Sequence, residues 1–335
     1  MKIGDIEVGN LFLAPMAGVT EVGFRAICKI CGADTTCTEM VNAKAMRFNS
    51  KNTLNLLISE DIEKPKIVQI FGNNAEDLAK ACASKELEKF DIIDINFGCP
   101  APKIVKNGDG SAILKDLHKL EEIVSACTKA TTKPITAKFR IGFNTNDNVA
   151  VEVAKICERN GIKAITVHGR TREQMYSGDV DYETIRKVKQ SVSIPVIGNG
   201  NVFDKKSYQK MLDTGVDGVM IGRGALGRPW IFAELKEKII GSKFELIKTH
   251  IEILRKYYDE NWICAHIRKH LLWYVQGIEG VGKIRLKLAT TTNLDEALEI
   301  LKTVIDWLIK KDKSITIKEK GVFYEKNYFR YWCKR

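Results

Sequence analysis

An α/β protein, a (β/α)8 TIM barrel followed by a small all-α domain, is predicted by three features of the 335-residue sequence. Eight short apolar runs alternate with helical patterns between Leu11 and Gly222. Each run is continuously apolar, as strands buried on both faces of a parallel sheet are. After Pro229 the strand signal stops and only helical spacing is left. An open doubly wound sheet would show the same alternation. The count of eight and the residues at the strand ends favour the barrel.

The elements follow in order. The first strand is Leu11–Met16, and a helix runs from Thr20, an N-cap type residue, to Cys31 before Gly32. Strand two is Thr35–Met40, followed by a helix over Asn52–Ser59. Ile67–Phe71 is strand three, bounded by Pro65 and Gly72, and Ala75–Leu87 is helical with Leu78, Cys82 and Leu87 on one face. Strand four is Ile92–Phe97; the helix Leu117–Ala130 comes after the loop Lys103–Leu114. Strands five to eight are Ile135–Arg140, Ala164–His168, Pro195–Asn199 and Gly218–Gly222. The helices between them are Val149–Arg159, Tyr182–Gln190 and Lys205–Thr214. Beyond them, His250–Tyr258, Ile263–Tyr274 and Leu294–Ile309 read as a helical bundle. The expected division is 1–240 barrel, 241–312 helical domain and 313–335 a basic, aromatic tail.

Composition narrows the class. Hydrophobic residues make up 44% and charged residues 28%, ordinary for a globular protein, and no apolar run is long enough to span a membrane as a helix. The first residues hold no apolar signal segment. Nine scattered cysteines fit free thiols in a reducing cytoplasm. Cys28 and Cys31 form a lone CxxC with no second pair and no histidine at zinc-finger spacing, so two packed positions on a helix are expected and no metal. The net charge is +11, and residues 241–335 carry 19 Lys and Arg against 12 Asp and Glu. That excess suits a polyanionic partner such as nucleic acid, or simple solubility.

Polar residues recur where strands finish. Pro15, Met16 and Ala17 end the first; Gln69 lies in the third; Asn96 and Cys99 close the fourth; Lys138 and Arg140 lie in the fifth. His168 and Arg170 end the sixth, Asn199, Gly200 and Asn201 the seventh, Gly222 and Arg223 the eighth. In a barrel these ends meet on the C-terminal face, where active sites lie. The glycine-rich turns after strands seven and eight are suited to a phosphate, with Arg223 supplying charge. By themselves those turns would also serve a phosphate-sugar enzyme. Cys99 sits between Gly98 and Pro100 on a tightly constrained loop. It reads equally as a placed reactive thiol or as a small buried side chain. On the later helices, Arg268-Lys269-His270 sits among Leu and Trp, which suits phosphate and base contacts or a helix with one core face.

These segments together match a family pattern. They include Ala14-Pro15-Met16-Ala17-Gly18-Val19-Thr20 with Phe24-Arg25, Thr38-Glu39-Met40, Val68-Gln69-Ile70, and Asp94 to Pro100 with Lys103. Gly110-Ser111-Ala112, Lys138-Phe139-Arg140, His168-Gly169-Arg170-Thr171, Asn199-Gly200 and Ile221-Gly222-Arg223 continue it. Gly227-Arg228-Pro229-Trp230 and Arg268-Lys269-His270 complete it. Over Leu11 to Tyr274 the chain resembles the flavin-dependent tRNA dihydrouridine synthases, most of all their bacterial B-type branch.

The resemblance implies an FMN-dependent oxidoreductase that uses NADPH or NADH to reduce the 5,6 double bond of uridines in tRNA, and a cytoplasmic monomer is expected. It implies that Pro15, Met16, Ala17, Gln69, Lys138, His168, Asn199, Gly200, Asn201, Gly222 and Arg223 hold FMN. Cys99 is then the proton donor, and Asn96, Lys103, Arg140 and Arg170 meet uracil or tRNA, which the helical domain binds. Relatives often have Asp where Asn201 stands; an amide still donates and accepts. The Lys103–Leu114 loop is the part expected to move when tRNA docks. A dihydroorotate dehydrogenase-like barrel would share the flavin and the thiol but not the basic helical domain. A non-catalytic tRNA binder would not need Cys99, Lys138 and His168.

Overall fold

The computed structural model describes residues 1–46, 51–278 and 280–311. The expected tail at 313–335 lies outside them. The chain divides into two compact units: Met1–Glu21 with Ala33–Arg223, and Val22–Gly32 with the chain from Gly224 onward.

The first unit is the barrel. Its eight strands are β3 (Leu11–Leu13), β4 (Cys37–Asn42), β5 (Ile67–Phe71), β6 (Ile92–Phe97), β7 (Ile135–Arg140), β8 (Ala164–His168), β9 (Val196–Asn199) and β10 (Gly218–Ile221). They form one parallel sheet in the order β3-β10-β9-β8-β7-β6-β5-β4. The two edges meet through a parallel bridge between Phe12 and Thr35, and the Leu13 amide donates to the Thr35 carbonyl at 2.9 Å. The strands that the apolar runs predict are all present, with ends shifted by a few residues.

A hairpin of two short strands, β1 (Lys2–Ile3) and β2 (Ile6–Glu7), precedes the barrel and has no counterpart among the predicted elements. Ile3 and Val8 join Phe12, Cys37, Ile67, Ile92, Ala164, Ile197 and Met220 in one buried cluster. Several of these open their strands, so the cluster lies at the N-terminal end of the barrel and the hairpin closes it. Side chains alternate across a strand, so inward positions recur every second residue. Along β6 the inward set runs Ile92, Asp94, Asn96; along β8 it runs Ala164, Thr166, His168. The interior thus grades from apolar at the closed end to polar at the mouth.

The helices of this unit are α2 (Ala43–Met46), α3 (Lys51–Asn55), α4 (Ala75–Cys82), α5 (Pro102–Lys106), α6 (Leu117–Ala130), α7 (Ala150–Arg159), α8 (Tyr182–Ser191) and α9 (Lys205–Leu212). Side-chain caps start four of them: Asn74, Asp116, Asp181 and Asp204 each accept the backbone amide three residues on. The helix expected over Ala75–Leu87 ends at Cys82 and resumes as a 3-10 turn at Lys85–Leu87. The loop at Lys103–Leu114 is ordered into α5 and a 3-10 segment, Gly110–Lys115.

The second unit is helical: α1 (Val22–Ile30), α10 (Ile231–Leu235), α11 (Lys243–Arg255), α12 (Glu260–Tyr274), α13 (Gly282–Thr290) and α14 (Leu294–Lys311). Its limits differ from the boundary expected at 240, because α1 and the residues from Gly224 pack with it. The reason lies in α1. A Cβ on Gly23 would stand 2.6 Å from the His250 ring, so only glycine lets α1 lie this close to α11. Phe24 then packs against the rings of His250 and His270, with centroids 6.0 and 4.8 Å away. Cys28 on α1 and Cys31 just past its end are both buried, and burial with nearby Glu234 pushes the Cys31 thiol up to about 12. α13 has no counterpart among the sequence-predicted helices, and α11 starts earlier than the expected His250.

Candidate active site at the barrel mouth

The sequence-predicted residues come together because neighbouring strands are in register. Asn96 pairs with Lys138, Arg140 with His168, and His168 with Asn199. Side chains of paired residues emerge on the same face of the sheet, and here that face is the barrel interior.

A line of hydrogen bonds rises from the interior to the thiol. Asp94 accepts from Thr136 Oγ1 and from Gln69 Nε2, both at 2.6 Å. Asn96 Nδ2 donates to Gln69 Oε1 at 2.8 Å, and Asn96 Oδ1 accepts the backbone amides of Gly98 at 3.0 Å and Cys99 at 2.8 Å. The Cys99 carbonyl accepts from Ser111 Oγ at 2.8 Å. Gly110 has φ +58°, and a Cβ there would sit 3.0 Å from the Cys99 Cβ. The thiol is therefore fixed from both sides of its loop. Burial pushes the Cys99 thiol up, while a hydrogen bond from the Ala101 amide and the charges of Arg140 and Lys138 pull the other way. The net shift is upward, so Cys99 is protonated at neutral pH. Burial also raises the Asp94 carboxyl, against its hydrogen bonds and Lys138.

Cations surround the rest of the mouth. Lys138 Nζ donates to Asn199 Oδ1 at 3.1 Å, and burial with Arg140 lowers Lys138 to about 8. Asn199 Nδ2 donates to the Met220 carbonyl at 2.8 Å. His168 is 7% exposed, and burial together with Arg140, Lys138, Arg170 and Arg223 holds its imidazole well below the usual histidine range. Its Nε2 is buried with no hydrogen-bond partner. Arg223 donates to Asn201 Oδ1 at 3.0 Å and lies 4.6 Å from the Tyr176 ring centroid. Asn201 has φ +49° and Gly200 φ +135°; a Cβ on Gly200 would stand 2.8 Å from Val180. Met16 is anchored by Thr20, whose Oγ1 accepts the Met16 amide at 3.0 Å. Gly222 packs loosely, since a Cβ there would lie 3.6 Å from Ala14 and Met16. Pro15 and Ala17 flank Met16 on the turn after β3.

Three residues expected to touch uracil or tRNA separate here. Lys103 is exposed on α5. Arg140 is buried, and it donates to the carbonyls of Gly98 at 2.9 Å and of Thr171 and Met175 at 2.8 Å. Arg170 is 1% exposed and grips the carbonyls of Ser177 and Gly178. Its Nη1 is buried without a partner. Both arginines thus hold loops, one of them the Cys99 loop, and Arg170 does not reach the surface. Sequence reasoning assigns no role to Asp94, Thr136 or Ser111. The i, i+2 spacing of Asp94 and Asn96 on an apolar strand is the signal that both point inward.

A family model described as dihydrouridine synthase matches residues 12–309. The chain belongs to the dihydrouridine synthase family. As a dihydrouridine synthase family member it is an oxidoreductase. It is 38% identical over 298 residues to a probable tRNA-dihydrouridine synthase of Rickettsia conorii, covering 85% of this chain and 90% of that protein. It is 36% identical to tRNA-dihydrouridine synthase B of Proteus vulgaris, covering 93% of this chain and all of that one. With tRNA-dihydrouridine synthase B of Pseudomonas aeruginosa the identity is 37%, over 88% of this chain and 92% of the other. Among solved structures, morphinone reductase superposes with a TM-score of 0.50 at 10% identity, over 71% of this chain and 88% of that one, which bears on the fold alone. This member of the family therefore places its polar residues at the mouth of a barrel whose fold it shares with morphinone reductase.

Proposed function

We propose that this protein is a tRNA-dihydrouridine synthase that reduces the 5,6 double bond of uridine, with Cys99 as the proton donor. The observation that carries the reading is a protonated, half-buried thiol on a loop fixed by Asn96, Ser111 and Arg140, at the rim of a cationic mouth.

The mouth fits a flavin mononucleotide. His168 Nε2 and Arg170 Nη1 are buried polar atoms without partners, and such groups cost about 1–3 kcal/mol until satisfied. Lys138, Arg140, Arg170 and Arg223 make the mouth favourable to an anion. Gln69, Lys138 and His168 would flank the ring. Asn199, Gly200, Asn201, Gly222 and Arg223 would take the phosphate, and Pro15, Met16 and Ala17 would line one side. When bound, FMN would supply a hydride to carbon 6 of the uracil, with NADPH or NADH as its source.

The chain's own residues do the rest. A uridine leaves its stack to enter the mouth. The Cys99 S–H delivers its proton to carbon 5, so hydride and proton together saturate the ring. The thiolate left behind is stabilised by Arg140 and Lys138, the charges that already pull the thiol down, and solvent returns the proton. A donor must be protonated beforehand, which the raised thiol ensures. Neutral His168 contributes a hydrogen bond without adding charge.

Cys99→Ala tests this. The variant is expected to retain flavin and its reduction by NADPH, and to lose dihydrouridine formation by about 10²–10⁴-fold in single turnover. An unchanged single-turnover yield in tRNA would remove Cys99 from the mechanism. Turnover of orotate or dihydroorotate without tRNA would move the protein to a different substrate.

A further inference from the structure

The sequence leaves Arg268-Lys269-His270 on α12 open between a nucleic-acid contact and a helix with one core face. In the structure His270 is buried, and Arg268 donates to the Thr291 carbonyl at 2.9 Å. A different set stands on the outer face. The rings of Tyr258 and Trp262 are stacked with centroids 3.7 Å apart and planes at 11°. Those of Trp262 and His266 are stacked at 3.8 Å and 9°. Tyr258 and Trp262 are half-buried, and His266 is exposed.

The stack lies off the buried face of α12, which is formed by Ile263, Cys264, Ile267, His270, Leu271 and Tyr274. His266 is further fixed by its Nδ1, 2.8 Å from the Trp262 carbonyl. A carbonyl oxygen only accepts, so Nδ1 carries the hydrogen. Three near-parallel rings at the separation of stacked bases are thus ordered in advance, which reduces the entropy a ligand must overcome. The two acids at the start of α12 are both engaged: Asp259 accepts the Trp262 amide at 2.9 Å, and Glu260, the one acid within the helix, is held by Arg255 at 2.7 Å. α13 packs against α12 and carries Lys283, Arg285 and Lys287, all exposed, with no acid. An apolar protein partner would gain little from that charge, whereas a polyanion with flat aromatic faces matches both halves.

We propose that the Tyr258–Trp262–His266 stack is a platform for an unpaired nucleobase of the RNA substrate, with the α13 cations taking the flanking phosphates. This rests on the reading of the chain as a tRNA-modifying enzyme. Stacking reads no base identity, because every base has a π face; it serves to seat an unstacked nucleotide of the tRNA on this unit.

The test is the affinity of the flavin-loaded enzyme for an unmodified tRNA transcript, over a salt series. His266→Ala and Trp262→Leu are expected to weaken binding about 5- to 100-fold, with the slope of log Kd against log salt unchanged. His266→Phe, which keeps a ring, is expected to restore most of the affinity. Lys283→Ala with Arg285→Ala is expected to reduce the salt slope instead. His266 is exposed, so His266→Ala carries the test even if Trp262→Leu melts early. Affinity of His266→Ala within about two-fold of the parent, while the parent still forms dihydrouridine, overturns the platform alone. A parent that forms no dihydrouridine sinks the functional reading, and the platform with it.

Discussion

Lys138 and Cys99 show how burial shifts two groups of one site in opposite directions while both stay protonated at neutral pH. Burial lowers the ammonium and raises the thiol, since each change disfavours the charged form. Lys138 at about 8 keeps its charge below that pH and loses it above. Between about 8 and the ordinary 10.5 the unfolded chain binds more protons at this site than the folded one. Folding stability contributed by Lys138 therefore rises with pH across that window. Anion binding runs the other way. Flavin affinity of the apoprotein is expected to be level below about pH 8 and to weaken above it, with Lys138→Met lacking the bend. Titration of flavin fluorescence checks this; a bend that survives in Lys138→Met would assign it to another group. Lys138 and His168 are legible in the sequence because each is a polar residue within or closing an apolar strand, where packing alone would select another apolar side chain. The loop-holding work of Arg140 and Arg170 is not. Their partners are carbonyls of Gly98, Thr171, Ser177 and their neighbours, and a carbonyl leaves no mark on sequence.

β6 is the element that turns fold into site. Its inward residues pass from Ile92 through Asp94 to Asn96, and the last of these seats the Cys99 amide. Asn96→Ala removes the acceptor for two loop amides and unpairs Gln69 Oε1. We expect about a 10²-fold loss in the rate of uridine reduction, because misplacement of a reacting group by about 1 Å has that cost. Flavin content should be retained, and the loss should fall on kcat more than KM. An equal loss in flavin retention would make Asn96 a cofactor ligand instead. At this scale the eight strands are readable, since a run of five or so apolar residues between Gly and Pro is too short for a helix and too apolar for a surface loop. The β1–β2 hairpin is not, because strands of two residues are too short to show a period. The placement of α1 is also hidden: what decides it is the close approach of Gly23 to His250, more than two hundred positions along the chain. α13 escapes because its exposed Lys283, Arg285, Leu286 and Lys287 leave only Leu288 buried.

The whole chain carries +11, and residues 241–335 contribute +7 of it, 19 Lys and Arg less 12 Asp and Glu. Binding that releases counterions falls steeply with salt, by about 10³–10⁵ between 50 and 200 mM for six to ten phosphate contacts. We expect tRNA binding to weaken by at least about 10²-fold over that range, measured on the flavin-loaded enzyme. A salt-independent affinity would leave the basic helices without their assigned partner. The charge excess is plain in the sequence, but its division between phosphates and solvent is not, since that depends on which lysines share a face. The cysteine inventory of the whole molecule has one more use. Every described cysteine except Cys99 is buried. In a background with Cys333 replaced by Ser, a maleimide should therefore tag one position. The rate of that tagging, followed by mass spectrometry, becomes a footprint of whatever fills the mouth: measurable in the empty enzyme at a pH high enough to ionise the thiol, and slower once a nucleotide covers the sulfur.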